Sequence, residues 1–198
     1  MKARVLIFLF LILFSNTLKS DLIDFQNIHK DTNFWEDFSN IEKEVFIKTS
    51  NIDSNVLCYY NKRFTVKDND LTIKMIETLT AKTVSKEMFV FYFYNFNQIC
   101  LNADGAISEC LGKYCQNMVL NNPEYVIDYF ARNKMILDKY ASYIGYELYF
   151  KEEGTSDINF NYIDFKTILT EKTSLKEKYS KVLMDLFGKI DTVMRNMD

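Results

Sequence analysis

The scarcity of chain-breaking residues is the feature that most constrains the fold of this chain. Its 198 residues include one proline, Pro123, and five glycines. A many-stranded β-sandwich needs turn residues at short intervals, and Pro-, Gly- or Ser-rich linkers usually separate domains. The sequence has neither pattern. It therefore predicts helices joined by short turns within a single domain.

Apolar residues recur at helical spacing along much of the chain. Three helix starts are indicated by capping residues: Asn33 with Glu36, Asn122 before Pro123, and Ser174 with Glu177. We expect helices over residues 33–48, from Asp68 or Asn69 onward, over 105–121, over 123–148 with a break near Arg132–Asn133, and from 174 to near the C-terminus.

Two segments fit both a strand and a helix. Residues 88–94 are apolar on every side and rich in β-forming residues, and residues 158–162 alternate in polarity. Helical neighbours on both sides favour a helix for each. The sequence thus predicts an all-α array or bundle of about six to eight helices stacked as hairpins. The alternative is an α+β fold in which residues 88–94 form a buried strand.

The first twenty residues have the layout of a secretory signal peptide. Lys2 and Arg4 precede an apolar run over residues 5–14, and a polar stretch ends at Ser20. The run is about half the length that a membrane-spanning helix requires. We predict cleavage after Ser20, or after Ser15, and a mature domain of residues 21–198 with a short N-terminal arm. The expected location is the bacterial periplasm, the extracellular space or a eukaryotic secretory lumen, with no permanent membrane anchor.

Charge argues against a nucleic-acid partner. The formal net charge of the full chain is −3, and removal of residues 1–20 would take away three basic side chains and make it more acidic. Proteins that bind nucleic acids neutralise phosphates with a basic patch. We therefore expect neither nucleic acids nor anionic membrane surfaces as partners.

Residues suited to catalysis are scarce. His29 is the one histidine, and it lies before the first expected helix, so a histidine-dependent nucleophile or a His-rich zinc site is disfavoured. The turn at residues 100–107 resembles a calcium loop, but Cys100 and Leu111 stand where two carboxylates are needed. We interpret the turn as a helix start capped by Asp104, and we expect no metal or other cofactor.

Four cysteines, Cys58, Cys100, Cys110 and Cys115, are candidates for disulfides in an exported protein. Five residues of helix rotate the chain by about 500°, so Cys110 and Cys115 cannot pair if one helix carries both. A turn separates Cys100 from Cys110, and we hypothesise that these two pair and that Cys58 pairs with Cys115. The alternative is that all four are free, buried apolar residues.

Tyrosines mark one helix. The residues are Tyr140, Tyr143, Tyr146 and Tyr149, which recur every three residues. This spacing predicts either half-buried packing or a face that contacts a partner. With the export signal and no recognisable catalytic motif, this favours a non-catalytic protein that binds another protein, such as an inhibitor or an immunity-type partner. The alternatives are a carboxylate-dependent hydrolase of glycans and a carrier of an apolar ligand in an aromatic-lined cavity.

Overall fold

The computed structural model describes residues 34–82, 85–152 and 161–197. The predicted signal peptide and His29 lie outside the described residues. Every regular element in these ranges is helical, which confirms the all-α prediction. The elements are a 3₁₀ turn Trp35–Asp37 and the helices α1 Asn40–Thr49, α2 Ser54–Tyr60, α3 Asp70–Thr80, α4 Lys86–Asn102, α5 Gly105–Asn121, α6 Pro123–Arg132, α7 Lys134–Glu152, α8 Tyr162–Glu171 and α9 Thr173–Arg195.

The alternative strand at residues 88–94 is wrong, because this segment lies inside α4. Phe91, Tyr92 and Phe93 are all buried although they point in different directions around the helix. A helix that is apolar on all sides is one that other elements surround. Packing partners around α4 therefore explain a pattern that the sequence alone could not assign. For the other ambiguous segment, α8 begins at Tyr162, while residues 158–160 lie outside the described residues.

Three helix starts agree with the predictions. Asn69 caps α3 through the Thr72 amide, α5 begins at Gly105, and Pro123 is the first residue of α6. The chain leaves the helix at Asn133, as expected, and this residue separates α6 from α7. Of these starts, the one at α3 has a side-chain cap, from Asn69, whereas α6 is marked by Pro123 at its first position.

Two predicted helix starts are wrong. The first helix begins at Asn40, where Ser39 and Glu42 form a capping box, and the preceding 3₁₀ turn buries Trp35. The last helix begins at Thr173 with Lys172 in the N-cap position, rather than with Ser174 as the cap. The backbone of α9 also departs from helical geometry at Tyr179 (φ −127°, ψ 21°), so this helix is kinked.

Helix α7 is the centre of the packing. It contacts α4, α5, α6 and α9, and its contacts with α5 and α9 are the most extensive between any two described helices. Its fully or almost fully buried side chains are Ile136, Leu137, Tyr140, Ala141, Ile144 and Leu148. Among the described residues, no helix is long and apolar enough to cross a membrane.

Two glycines bring neighbouring helices unusually close to α7. A Cβ atom on Gly112 of α5 would lie 2.4 Å from the Glu147 Cβ and 2.6 Å from the Tyr143 carbonyl oxygen of α7. A Cβ atom on Gly145 of α7 would lie 2.9 Å from the Val193 Cγ1 of α9. The absence of a side chain at both positions therefore sets the spacing between three helices.

Replacement of Gly112 by alanine should destabilise the protein. The new methyl group would force α5 away from the α7 backbone, and overpacking of this kind costs about 1–3 kcal/mol, more than the ~1 kcal/mol that alanine gains in helix propensity. Urea unfolding followed by circular dichroism should show a lower free energy of unfolding for Gly112→Ala.

Gly188 in α9 provides the matched control, because a Cβ atom there meets nothing within 4 Å. Gly188→Ala should be neutral or stabilising by up to ~1 kcal/mol. Equal stability changes for Gly112→Ala and Gly188→Ala would contradict the close approach of α5 and α7.

Candidate functional site

A tight chain reversal after α2 builds one side of a pocket in the described part of the protein. The Lys62 amide donates to the Tyr59 carbonyl, and the Arg63 amide donates to the Cys58 carbonyl. Lys62 itself has a φ of +59°. This is a Schellman motif with lysine in the left-handed position that glycine usually occupies. The reversal turns residues 62–66 back toward the body of the protein.

The segment after the reversal is fixed by a buried threonine. The Lys67 amide donates to the Thr72 hydroxyl of α3 over 3.1 Å, and Thr72 is fully buried. Between this segment, α2 and the C-terminal half of α4 lies a partly open pocket of about 430 Å³. It is lined by Tyr59, Tyr60, Lys62, Phe64, Thr65, Val66, Tyr94, Asn95, Gln98, Ile99, Asn102, Ala103, Asp104 and Ile107.

One face of α4 forms the floor of the pocket and presents three amide side chains. Asn95, Gln98 and Asn102 share this face because they are spaced three or four residues apart. The Asn95 amide nitrogen donates to the Phe91 carbonyl over 2.8 Å, and that of Asn102 donates to the Gln98 carbonyl over 2.7 Å. Each of these bonds uses one of the two N–H groups, so Asn95 and Asn102 each keep an amide oxygen and a second N–H for hydrogen bonding.

Aromatic rings form the walls. Tyr60 and Tyr94 line the pocket and also contact Trp35, with ring centroids 6.0 and 6.4 Å from the indole. Burial raises the pKa of Tyr59 to about 12 and also raises the pKa of Tyr94. These hydroxyls are therefore neutral hydrogen-bonding groups at physiological pH, not anions.

Two opposite charges lie at the rim. Lys62 is exposed on the chain reversal, and Asp104 occupies the N-cap position of α5, before Gly105 with its φ of +44°. The Asp104 side chain makes no capping hydrogen bond, so it does not serve the cap for which it was predicted. In the described part of the chain, no three His, Cys, Asp or Glu side chains cluster as metal ligands. The arrangement is suited to binding an organic molecule by stacking and hydrogen bonds.

The cysteines are arranged differently from the predicted pairs. Cys100 lies against Cys115, with 3.8 Å between the sulfur atoms, and both residues are fully buried. Cys110 is half-buried and its thiol donates to the Ile107 carbonyl, while Cys58 is exposed on α2. No described pair of sulfurs is at bonding distance. The helical rotation that separates Cys110 from Cys115 turns Cys115, not Cys110, toward Cys100.

The four tyrosines of α7 do not form one exposed face. Tyr140 and Tyr143 are 0% and 8% exposed, respectively, whereas Tyr146 is 38% exposed and Tyr149 is half-buried. Tyr143 and Tyr146 line a smaller depression of about 230 Å³ beside Ser108. The exposed rings on α7 therefore lie in its C-terminal half, where Tyr146 and Phe150 are in ring contact.

Buried tyrosine hydroxyls join elements that are distant in sequence. The Tyr140 hydroxyl donates to Asn97 Oδ1 over 2.8 Å, and the Tyr143 hydroxyl donates to the Cys100 carbonyl over 2.9 Å. Both bonds connect α7 to α4. Burial raises the pKa of both tyrosines, which keeps these hydroxyls protonated as donors.

Sequence reasoning did not identify the pocket. A usable signal was present, because Asn95, Gln98 and Asn102 recur three or four residues apart on a largely apolar helix, whereas Asn97 on the same helix bonds Tyr140 of α7. The segment opposite them could not be located from sequence, since its position depends on the left-handed conformation of Lys62.

Loss of the Tyr140 hydroxyl should destabilise the protein. Tyr140→Phe keeps the ring but leaves the fully buried Asn97 oxygen without this donor, which costs about 1–3 kcal/mol. Tyr146→Phe is the matched control on the same helix, and it should change the free energy of unfolding by no more than ~0.5 kcal/mol because the residue is exposed. A Tyr140→Phe variant as stable as the unmodified protein, measured by urea denaturation, would refute the role of this bond.

Comparison of this chain with protein-family models, with curated proteins and with solved structures finds no match.

Proposed function

We propose that this protein is an exported, non-catalytic binding protein and that the pocket between α2 and α4 is its ligand site. The observation that carries the proposal is a pocket of about 430 Å³ whose walls include Tyr59, Tyr60, Phe64 and Tyr94. Pockets that bind small organic molecules typically measure about 300–1,000 Å³ and combine aromatic walls with a few polar groups. Export is supported by the sequence pattern of residues 1–20.

The lining favours a planar, mainly apolar ligand with hydrogen-bonding groups at one end. Tyrosine rings offer flat surfaces for stacking. The amides on the floor and the Asp104 carboxylate at the rim offer acceptors to a donor group on the ligand. This ligand class is closest to the apolar-ligand carrier among the sequence-based alternatives.

The other two alternatives have weaker support. Glycoside hydrolysis ordinarily uses two carboxyl groups about 5–10 Å apart, and Asp104 is the one carboxylate among the described residues that line the pocket. Binding of a protein partner was predicted from the tyrosines of α7, and two of these, Tyr140 and Tyr143, are buried. On this helix a protein partner would have the exposed rings of Tyr146 and Phe150 to contact, but not Tyr140 or Tyr143.

The single tryptophan provides a local reporter for ligand binding. Trp35 contacts Tyr60 and Tyr94 directly behind the pocket, and its indole N–H gives one side-chain signal in an ¹⁵N-correlation NMR spectrum. We expect indole, a planar probe with one donor, to shift this signal saturably. Decanoate and chitotriose, which represent linear apolar ligands and glycans, should shift it less at equal concentration.

A variant that fills the pocket tests whether the shift of the Trp35 signal arises from binding in the pocket. Gln98→Phe places a ring on the pocket floor and should weaken indole binding by at least about tenfold, equivalent to about 1.4 kcal/mol. Asn121→Phe makes the same kind of change at an exposed residue outside the lining and should leave binding unchanged. Circular dichroism checks that both variants retain the helical fold.

Two outcomes would overturn the proposed ligand class. If indole gives no saturable shift, the pocket does not take planar ligands. If decanoate or chitotriose binds more strongly than indole, the ligand class is instead linear apolar molecules or glycans, respectively. Equal indole affinity of the Gln98→Phe variant and the unmodified protein would remove the pocket as the site.

A further inference from the structure

The two buried thiols at the α4–α5 junction are not used by the proposed ligand site. Cys100 and Cys115 are both 0% exposed, and their sulfur atoms are 3.8 Å apart. A disulfide bond has a length of about 2.05 Å, so the two sulfurs must approach each other by about 1.8 Å to bond. Neither thiol lines the pocket.

We propose that Cys100 and Cys115 form a disulfide that joins α4 to α5 when the chain folds in the presence of a low-molecular-weight disulfide such as oxidised glutathione. The proposal does not depend on the ligand. It differs from the pairing expected from sequence, because it unites one cysteine from each expected pair and leaves Cys58 and Cys110 as thiols.

The helix packing gives such a bond a structural role. α4 and α5 each pack against α7, and they make few direct contacts with each other. The Tyr143 hydroxyl reaches the Cys100 carbonyl, while the same residue's own carbonyl lies close to Gly112 of α5. A Cys100–Cys115 bond would therefore add a covalent link between two helices that are otherwise joined by the turn at residues 103–104 and by their shared packing against α3 and α7.

The chemistry is a balanced thiol–disulfide exchange. The thiolate of one cysteine attacks a sulfur of the oxidant, forms a mixed disulfide and expels one small-molecule thiolate. The second cysteine thiolate then attacks the protein sulfur and expels the other small-molecule thiolate. Two cysteine S–H bonds are replaced by one S–S bond, the oxidant is reduced to two thiols, and the two protons pass to the two leaving groups.

Geometry selects this pair over the others. Cys110 is half-buried and its thiol donates to the Ile107 carbonyl on its own helix. Cys58 is exposed on α2. Since Cys100 and Cys115 are shielded from solvent, an external oxidant reaches them only before α4 and α5 dock or when they separate transiently. Burial also raises the pKa of the Cys115 thiol, so it reacts slowly in the folded protein.

Peptide mapping of the full chain tests the proposal. The reduced protein is refolded with oxidised and reduced glutathione, free thiols are alkylated, and the unreduced digest is analysed by mass spectrometry. We expect one linked peptide pair containing Cys100 and Cys115, with Cys58 and Cys110 alkylated. The sequence separation of 15 residues predicts a melting temperature about 6–12 °C above that of the reduced protein.

Variants make the result specific. Cys110→Ser should retain the linkage and Cys115→Ser should lose it. If Cys115→Ser does not fold, a double variant, Cys58→Ser with Cys110→Ser, provides the test. Cys100 and Cys115 are its two remaining thiols, and we expect them to form an intramolecular disulfide. Alkylation of all four cysteines in a protein with a helical circular dichroism spectrum would overturn the proposal. Linkage of Cys100 to Cys110 or to Cys58 would also overturn it.

Discussion

The close approach of α7 to α5 and α9 is the constraint on which the rest of the structure depends. Gly112 of α5 lies against the α7 backbone, and Gly145 of α7 lies against Val193 of α9. At these separations a Cβ atom would overlap its neighbours, so two helices are held at α7 by backbone and short side-chain contacts. The remaining helices pack around these three. One of them, α4, contacts α7 and lines the pocket with another of its faces.

The tyrosines contribute to cohesion inside the protein more than to its surface. Their rings fill the core, and several of their hydroxyls connect separate elements: Tyr92 to the Asp53 amide, Tyr129 to Glu36, Tyr140 to Asn97, Tyr143 to Cys100, Tyr149 to Met197, Tyr162 to Phe187 and Tyr179 to Asp128. Each bond satisfies a polar group on a largely apolar ring. Packing and these hydrogen bonds therefore account for the burial of these tyrosines.

Local sequence signals predicted the helical class and several helix boundaries, but not the site. Asn69 and Pro123 mark helix starts because capping chemistry is local. Two pairs of residues have the same capping spacing: Asn33 with Glu36, and Ser39 with Glu42. The helix begins at the second pair, and the 3₁₀ turn before it buries Trp35. Tertiary contacts decide this choice, as they decide which tyrosines of α7 are buried. The pocket was missed for the same reason, because its outer wall depends on the chain reversal at Lys62.

Native-state hydrogen exchange tests the central position of α7 most directly. Amides in the middle of α7 should exchange only through global unfolding, so their opening free energy should equal the unfolding free energy from urea denaturation. Amides of α1, which has one buried side chain, should exchange through local opening at lower free energy. Exchange in α7 as fast as in α1 would contradict the account, because a helix packed closely between two neighbours cannot open alone.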